Sequence, residues 1–209
     1  MIQRVLVLVL LLSNFYVKAQ TYGVQVGAAY DSPLGSFAQR YRPVTAYHAD
    51  FLWIPEESAT TVNFTIGYNT FKPKEDIFYF LTKEGEDFGT IVYSDYELYT
   101  AYVGGMHNFT LTETLKFGLG FNFGAYFSHY TSGQSKGTIS SNIGDTNVYL
   151  AAKTGFSYDV SDHIQFNLEA KYNGFSPTGK NDARTPAFNG HIGTVNYTWS
   201  SGVSVAYKF

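Results

Sequence analysis

Between Leu115 and Ser128 the chain changes character at every residue. Leu115, Phe117, Leu119, Phe121, Phe123, Ala125 and Phe127 fall on one side, and Lys116, Gly118, Gly120, Asn122, Gly124 and Tyr126 on the other. A helix would smear those two sets around its circumference, whereas an extended strand separates them cleanly. The pattern returns at the C-terminus, where Val195, Tyr197, Trp199, Ser201, Val203, Val205, Tyr207 and Phe209 oppose Asn196, Thr198, Ser200, Gly202, Ser204, Ala206 and Lys208. Shorter copies run over Val148 to Tyr158, Ile164 to Tyr172, Tyr22 to Tyr30, Tyr47 to Trp53 and Val62 to Tyr68. One more strand is expected between Ile91 and Phe109, where the period fits either facing. The chain is therefore all-β, with about eight strands.

The connections decide how such strands close. Short links at Pro55 to Thr60, Asn108 to Glu113 and Asp159 to Asp162 alternate with long ones at Asp31 to Pro43, Lys72 to Gly89, His129 to Asp145 and Phe175 to His191. Both termini fall on the short-link side. An antiparallel up-and-down barrel that crosses an outer membrane has this asymmetry, with tight periplasmic turns and long outer loops. The long links are rich in turn-forming residues, as in Thr131 to Gly137 and Ser176 to Gly179, which suits exposed segments.

The same alternation would also serve a soluble barrel, so the composition of the two faces has to choose. Charged residues make up only 15% of the chain, while 18 Tyr, 18 Phe and 20 Gly share its 209 positions; an ordinary domain carries about 25% charge. The polar face is mostly Gly, Ser, Ala, Asn and Thr, a poor solvated surface but a good filling for a narrow lumen. The apolar face is tipped with aromatics at both ends: Tyr30, Tyr47, Tyr68, Tyr172 and Trp199 toward the long loops, and Tyr22, Trp53, Tyr158, Tyr207 and Phe209 toward the short turns. Those are expected to form the two interfacial girdles.

Residues 1–19 have the layout of a cleavable secretory signal: an early cation (Arg4), an apolar stretch from Val5 to Leu12, and the small-residue end Val17 to Ala19. Residues 20–209 then form the barrel domain. Removing 19 of the 209 residues leaves 190, and the loss of Arg4 and Lys18 takes the net charge from -3 to -5. Nucleic-acid binding, which needs a cationic surface, is excluded as a function. No apolar run long enough for a membrane helix follows the signal. With no cysteine there is neither a disulfide framework, nor a thiolate metal site, nor a lipid-bearing residue at the cleavage point.

The signal, the long and short loop rhythm, and the alternation running into Gly202 to Phe209 resemble the small OmpA-like and PorT-like outer-membrane β-barrel domains of the Gram-negative cell envelope. The resemblance covers the whole mature chain. It implies that Val203, Val205, Tyr207 and Phe209 are the signal read by the barrel-assembly machinery. It is specific for fold and nearly silent about function, because such barrels include structural proteins, adhesins, lipid-modifying enzymes and accessory parts of secretion systems. Unlike full-length OmpA, the chain is expected to lack a peptidoglycan-binding domain.

Within the predicted lumen the charged residues are His48, Asp50, Lys116, Lys153, Glu169 and Lys171. If the turn after Asp159 is tight, Lys153 faces Asn167 or Glu169 across the hairpin. These groups would either gate a polar pathway or plug a bore that side chains just fill. The plug is preferred because unpaired charges there would be costly.

Near the outer rim, Ser128, His129, Asp145 and His191 include the residue types of a hydrolase or acyltransferase acting on lipid A. Ser128 and His129 do not form the His-x-Ser-Asn arrangement seen in lipid A deacylases, and neighbours on a strand point to opposite faces. No catalytic, cofactor or metal pattern is otherwise present.

In the second long link, Ile77, Phe78, Tyr79, Phe80 and Leu81 form an apolar cluster between charged flanks, either a partner-docking loop or part of strands extended above the bilayer. Arg40 and Arg42 flank Tyr41 in the first long link, where they would meet lipopolysaccharide phosphates or simply be solvated. The glycosylation-like triplets at Asn63, Asn108 and Asn196 lie in or beside strands and read as chance.

The leading expectation is a non-enzymatic outer-membrane barrel, a structural or accessory subunit of a larger envelope complex for secretion or barrel assembly. The alternatives are a lipid-A-modifying enzyme and a narrow channel or carrier for small hydrophobic molecules. Its expected partners are outer-membrane lipid and lipopolysaccharide, the barrel-assembly machinery and other outer-membrane proteins.

Overall fold

A computed structural model describes residues 21–56, 58–75, 78–81, 88–134, 140–176 and 195–209. The signal peptide and Ile77 lie outside the described residues. Eight long strands make the wall: β1 (Thr21–Leu34), β2 (Val44–Ile54), β3 (Thr60–Phe71), β6 (Tyr96–Thr110), β7 (Leu115–Gln134), β8 (Ser140–Asp159), β9 (Ile164–Ser176) and β10 (Asn196–Lys208). Each pairs antiparallel with its neighbour, and β1 closes on β10 with Val24 opposite Tyr207. The result is a closed up-and-down barrel, which leaves no sheet edge within its wall.

The facing is inside-out relative to a water-soluble protein. Val26, Phe121 and Val203 are each more than 60% exposed, and Phe64, Ile66, Leu150 and Leu168 more than 50%. Thr65, Thr198, Asn122, Ser200 and Ser204 are buried inside. An apolar belt of that extent around the whole circumference is stable only against hydrocarbon. No helix among the described residues is long and apolar enough to cross a membrane; this barrel crosses with strands. The expected outer girdle residues Tyr30, Tyr47, Tyr68, Tyr172 and Trp199 all project outward, joined by Tyr99, whose ring lies 4.8 Å from that of Tyr68. Trp53, Tyr158, Tyr207 and Phe209 do the same at the turn end.

Three local features differ from the sequence expectation. The segment from Ile91 to Phe109 is not one strand: β5 (Phe88–Tyr93) ends at a corner where Ser94 N–H donates to Thr131 O (2.9 Å), and β6 starts at Tyr96. Even-numbered residues of β6 face the lumen. The period is ambiguous there because Tyr96, Leu98, Tyr102 and Met106 are buried inside while Tyr99, Val103 and Phe109 are exposed outside.

Secondly, much of the long link from His129 to Asp145 is strand, since β7 and β8 stay paired up to Gly133 opposite Ser140. A small hairpin, β4 (Phe78–Leu81) with β5, is attached to that extension through β5 and β7. Thirdly, the first long link contains a short helix, α1 (Gly35–Arg40), entered through Gly35 at φ 57°, a left-handed conformation that glycine adopts without steric cost.

Candidate functional site

The lumen is built in layers, beginning at the periplasmic mouth beside the short turns. Asp159, the last residue of β8, receives Lys208 Nζ at 2.6 Å, Gln165 Nε2 at 2.7 Å and Lys116 Nζ at 2.9 Å. Partial burial pushes the Asp159 carboxyl up, but the hydrogen bonds from Lys208 and Lys116 outweigh it and hold the group below its usual value. Lys116 therefore belongs to the mouth, apart from the other lumen charges.

Those meet at mid-barrel. Asp50 accepts hydrogen bonds from Gln25 (2.8 Å) and from the Thr65 hydroxyl, and lies 3.6 Å from His48 Nε2. Asn167 donates to Gln25 at 2.9 Å, and Asn63 donates to Thr65 at 2.7 Å. Lys153 reaches across the bore to donate to Asn63 Oδ1 at 2.7 Å, while Lys171 pairs with Glu169 at 3.5 Å. His48 has room only because its neighbour is Gly27, where an added Cβ would lie 2.6 Å from the imidazole.

The expected pairing of Lys153 with Asn167 or Glu169 is corrected by the register. Strands β8 and β9 resume pairing at Asp159 opposite Gln165, so Lys153 lies opposite Lys171, with Glu169 opposite Gly155 and Asn167 opposite Ser157. The β8–β9 turn is longer than a tight one, and each added residue shifts the partner along β9. Lys153 is satisfied by a different wall of the barrel, a contact no hairpin argument can reach.

Above this layer Asp31 accepts from Asn69 (2.7 Å) and from Ser200 Oγ, and Asn173 links Tyr149, Thr198 and Ser200. A first strand ending at Tyr30, as the sequence suggests, leaves Asp31 in a loop; one further step of the alternation carries it inside.

An aromatic stopper closes the outer end. Phe37 of α1 drops into the mouth, 5.0 Å from the rings of Tyr41 and Phe71 and 5.5 Å from Tyr96. Leu98, Tyr126 and Phe175 continue that cluster downward, and Tyr102 stacks on Tyr149 at 4.8 Å. A cavity of about 300 Å³ reaches from Ser58, Lys116 and Lys208 at the turn end to Lys153, Glu169 and Lys171. A separate void of about 50 Å³ lies above it, between Asp31, His48 and Tyr149. The lower cavity is thus a vestibule open to the periplasm, with Tyr102 in its lining as well as in the stopper.

Of the rim residues suited to acyl chemistry, the two whose side chains are described face opposite ways. Ser128 is buried and faces inward beneath the stopper, whereas His129, next to it on β7, is exposed on the outside. Asp145 is the backbone partner of Ser128, but its side chain and the whole of His191 lie outside the described residues. Among the described residues no group of three or more His, Asp or Glu is placed to hold a metal ion.

Asn63, first of the glycosylation-like triplets, is buried in the lumen and cannot serve as an acceptor there; Asn108 also faces in, donating to Thr61 at 3.1 Å. Val203, Val205 and Tyr207 project outward in one row on β10, Phe209 just beyond its end is exposed as well, and Phe209 N–H closes the seam by donating to Tyr22 O at 2.9 Å. Arg40 and Arg42 stand at the outer rim, on either side of the buried Tyr41.

No family model matches this chain and no curated protein does. Solved structures do. Neisserial surface protein A is 17% identical with a TM-score of 0.55, the match covering 92% of this chain and 100% of that one. Ail, the attachment invasion locus protein of Yersinia pestis, is 12% identical with a TM-score of 0.50 at the same coverage. A major outer membrane protein from Thermus thermophilus is 10% identical with a TM-score of 0.60, again over 92% and 100%. What this chain shares with them is the fold, that of the small outer-membrane barrel. With its apolar belt, it is an integral outer-membrane protein.

Proposed function

We propose that this barrel is a non-enzymatic outer-membrane protein, a structural or accessory subunit of a larger envelope complex, in line with the PorT-like part of its sequence resemblance. The observation that carries this reading is the arm above the outer rim. Strands β7 and β8 each run for 20 residues, about twice the 9–11 that a membrane-crossing strand needs. The β4–β5 hairpin widens the arm, and β4 has a strand partner on one edge only among the described residues. An unpaired edge carries a row of backbone donors and acceptors that a partner chain can complete as an added strand. A barrel that served only to fill the membrane would have no use for this extension.

The closed interior supports the same reading. Among the described residues the stopper packs the bore above the vestibule, and Ser128 and His129 face opposite ways, which argues against a hydrolase built on that pair. Mild-detergent pull-down with the full chain, beside a variant lacking residues 77–90, tests the proposal. A partner retained by the full chain and lost with the hairpin is expected; a barrel that purifies alone from native membranes overturns it. Unchanged lipid A mass in cells with and without the protein is the corresponding expectation against an enzyme.

One observation favours a second reading, a carrier for a small molecule. The vestibule of about 300 Å³ is large enough for a compact ligand arriving from the periplasm. Its lining is polar rather than apolar, which does not suit the hydrophobic cargo expected from sequence.

A further inference from the structure

The outer rim carries four cations that the fold stitches together. The chain leaving α1 forms a β-bridge with the chain leaving β3, with Tyr41 opposite Pro73. Arg42 N–H donates to Lys72 O at 2.9 Å and Lys74 N–H donates to Arg40 O at 2.7 Å. That register sets Arg40 against Lys74 and Arg42 against Lys72, two like-charged cross-strand pairs side by side. Like charges directly opposite each other destabilise a strand pair. Here the arrangement is rigid, because Tyr41 between the arginines is buried in the stopper and the Arg42 guanidinium is tied to Lys74 O at 2.9 Å.

Among the described residues none of the four makes an ion pair. Arg42, Lys72 and Lys74 are exposed, and Arg40 sits 5.9 Å from the centre of the Tyr93 ring. Glu75 and Asp95 are exposed nearby but lie outside ion-pair range of the cluster.

The height of the cluster is set by β3. Tyr68 projects into the outer aromatic girdle, and Thr70 above it donates its hydroxyl to Tyr68 OH at 2.7 Å. Lys72 and Lys74 continue the same outward-facing column, since Phe71 is buried inside. Four residues at about 3.3 Å each put Lys72 about 13 Å beyond Tyr68 along the strand, and less once strand tilt is allowed for. That is the depth of lipid headgroups, directly outside the hydrocarbon boundary that the girdle marks.

We propose that Arg40, Arg42, Lys72 and Lys74 form a binding site for the phosphate groups of an outer-leaflet glycolipid headgroup. Guanidinium and ammonium donors on the two bridged segments offer several charge-assisted hydrogen bonds to a pair of phosphates, and an anion there relieves the repulsion that the register imposes. The site is independent of the partner arm: it lies on the β1–β2 and β3 rim and does not require a protein partner.

The test uses the full chain in nanodiscs with three probes: diphosphorylated lipid A, lipid A stripped of its phosphates, and inorganic pyrophosphate in solution. Native mass spectrometry of the retained lipid is expected to show the phosphorylated form favoured by about tenfold or more, since one charge-assisted hydrogen bond is enough for a change of that size. Arg42→Gln with Lys72→Gln and Lys74→Gln should abolish that preference while leaving the heat-modifiable, folded fraction unchanged. Should the triple variant fold poorly, Lys74→Gln alone, at an exposed side chain, should still lower the preference severalfold, and Lys74→Arg should keep it. Equal retention of both lipids, or a preference that survives the substitutions, overturns the proposal. Displacement of the bound lipid by millimolar pyrophosphate would mark a site for free anions and overturn the assignment to a membrane headgroup.

Discussion

Replacing Glu169 by Ala removes one of the two carboxylates, Glu169 and Asp50, that balance the cations of the mid-lumen. Glu169 lies 3.5 Å from Lys171 Nζ, and the side chains retain only 15% and 9% of their exposure. Lys153, opposite Lys171 in register, is held by the neutral Asn63 and depends on the same carboxylate for charge balance. Removing one partner of a fully buried pair costs about 3–5 kcal/mol, because the orphaned charge cannot be rehydrated. The vestibule reaches both residues, so water recovers part of that loss and the lower end, about 3 kcal/mol, is expected. The assay is urea unfolding of the refolded barrel in detergent micelles, followed by gel mobility of the folded form. Combining Glu169→Ala with Lys171→Met removes the stranded charge and should restore most of the lost stability. A Glu169→Ala variant within about 0.5 kcal/mol of the wild type would refute the argument that Glu169 balances the buried cations at mid-barrel.

Three further outcomes follow from the same geometry. Phe37→Ala empties the centre of the stopper, where Phe37 is only 5% exposed; a loss of about 3–5 kcal/mol, with new protease sensitivity between Gly35 and Arg42, is expected, and a variant as stable and resistant as wild type would contradict the packing. Asp159 is held below its ordinary value by Lys208 and Lys116, so its stabilisation is fully present above about pH 4 and disappears as pH falls through the lowered value. The stability gap between wild type and Asp159→Asn in a pH series should accordingly close on the acid side only; a gap that persists in acid would mean that the ion pairs are not its cause. Deleting Phe209, whose N–H closes the β1–β10 seam, should reduce the folded fraction in cell membranes, and unchanged assembly counts against its role as an insertion signal.

What the sequence discloses depends on what lies on each side of a strand. Along β7 and β10 the outward side meets lipid and the inward side small polar groups, so Phe121, Phe123, Val203 and Val205 are assigned correctly from alternation alone. Higher up that contrast fails. Tyr96, Leu98, Tyr126 and Tyr149 are chemically the same as the belt residues yet point inward into the stopper, and only the fold separates them. Beyond the membrane both sides are polar, and Ser132, Gly133, Ser140 and Ser141 look like loop although they are paired strand. The lumen charges are recognisable as a group from their shared parity. Their partners are not, because Lys153 to Asn63 spans 90 residues and crosses the bore. The cation cluster is half visible in Arg40 and Arg42; Lys72 and Lys74 join it only through the bridge at Tyr41 and Pro73.

Planar-bilayer recording of the purified, refolded barrel tests the closed lumen most directly. The stopper around Phe37 and the bonded charges at mid-barrel leave the vestibule blind, so the account predicts insertion without any stable conductance step at either polarity. A steady, ion-selective current from the wild-type protein would contradict it and would favour a conducting channel over a sealed subunit.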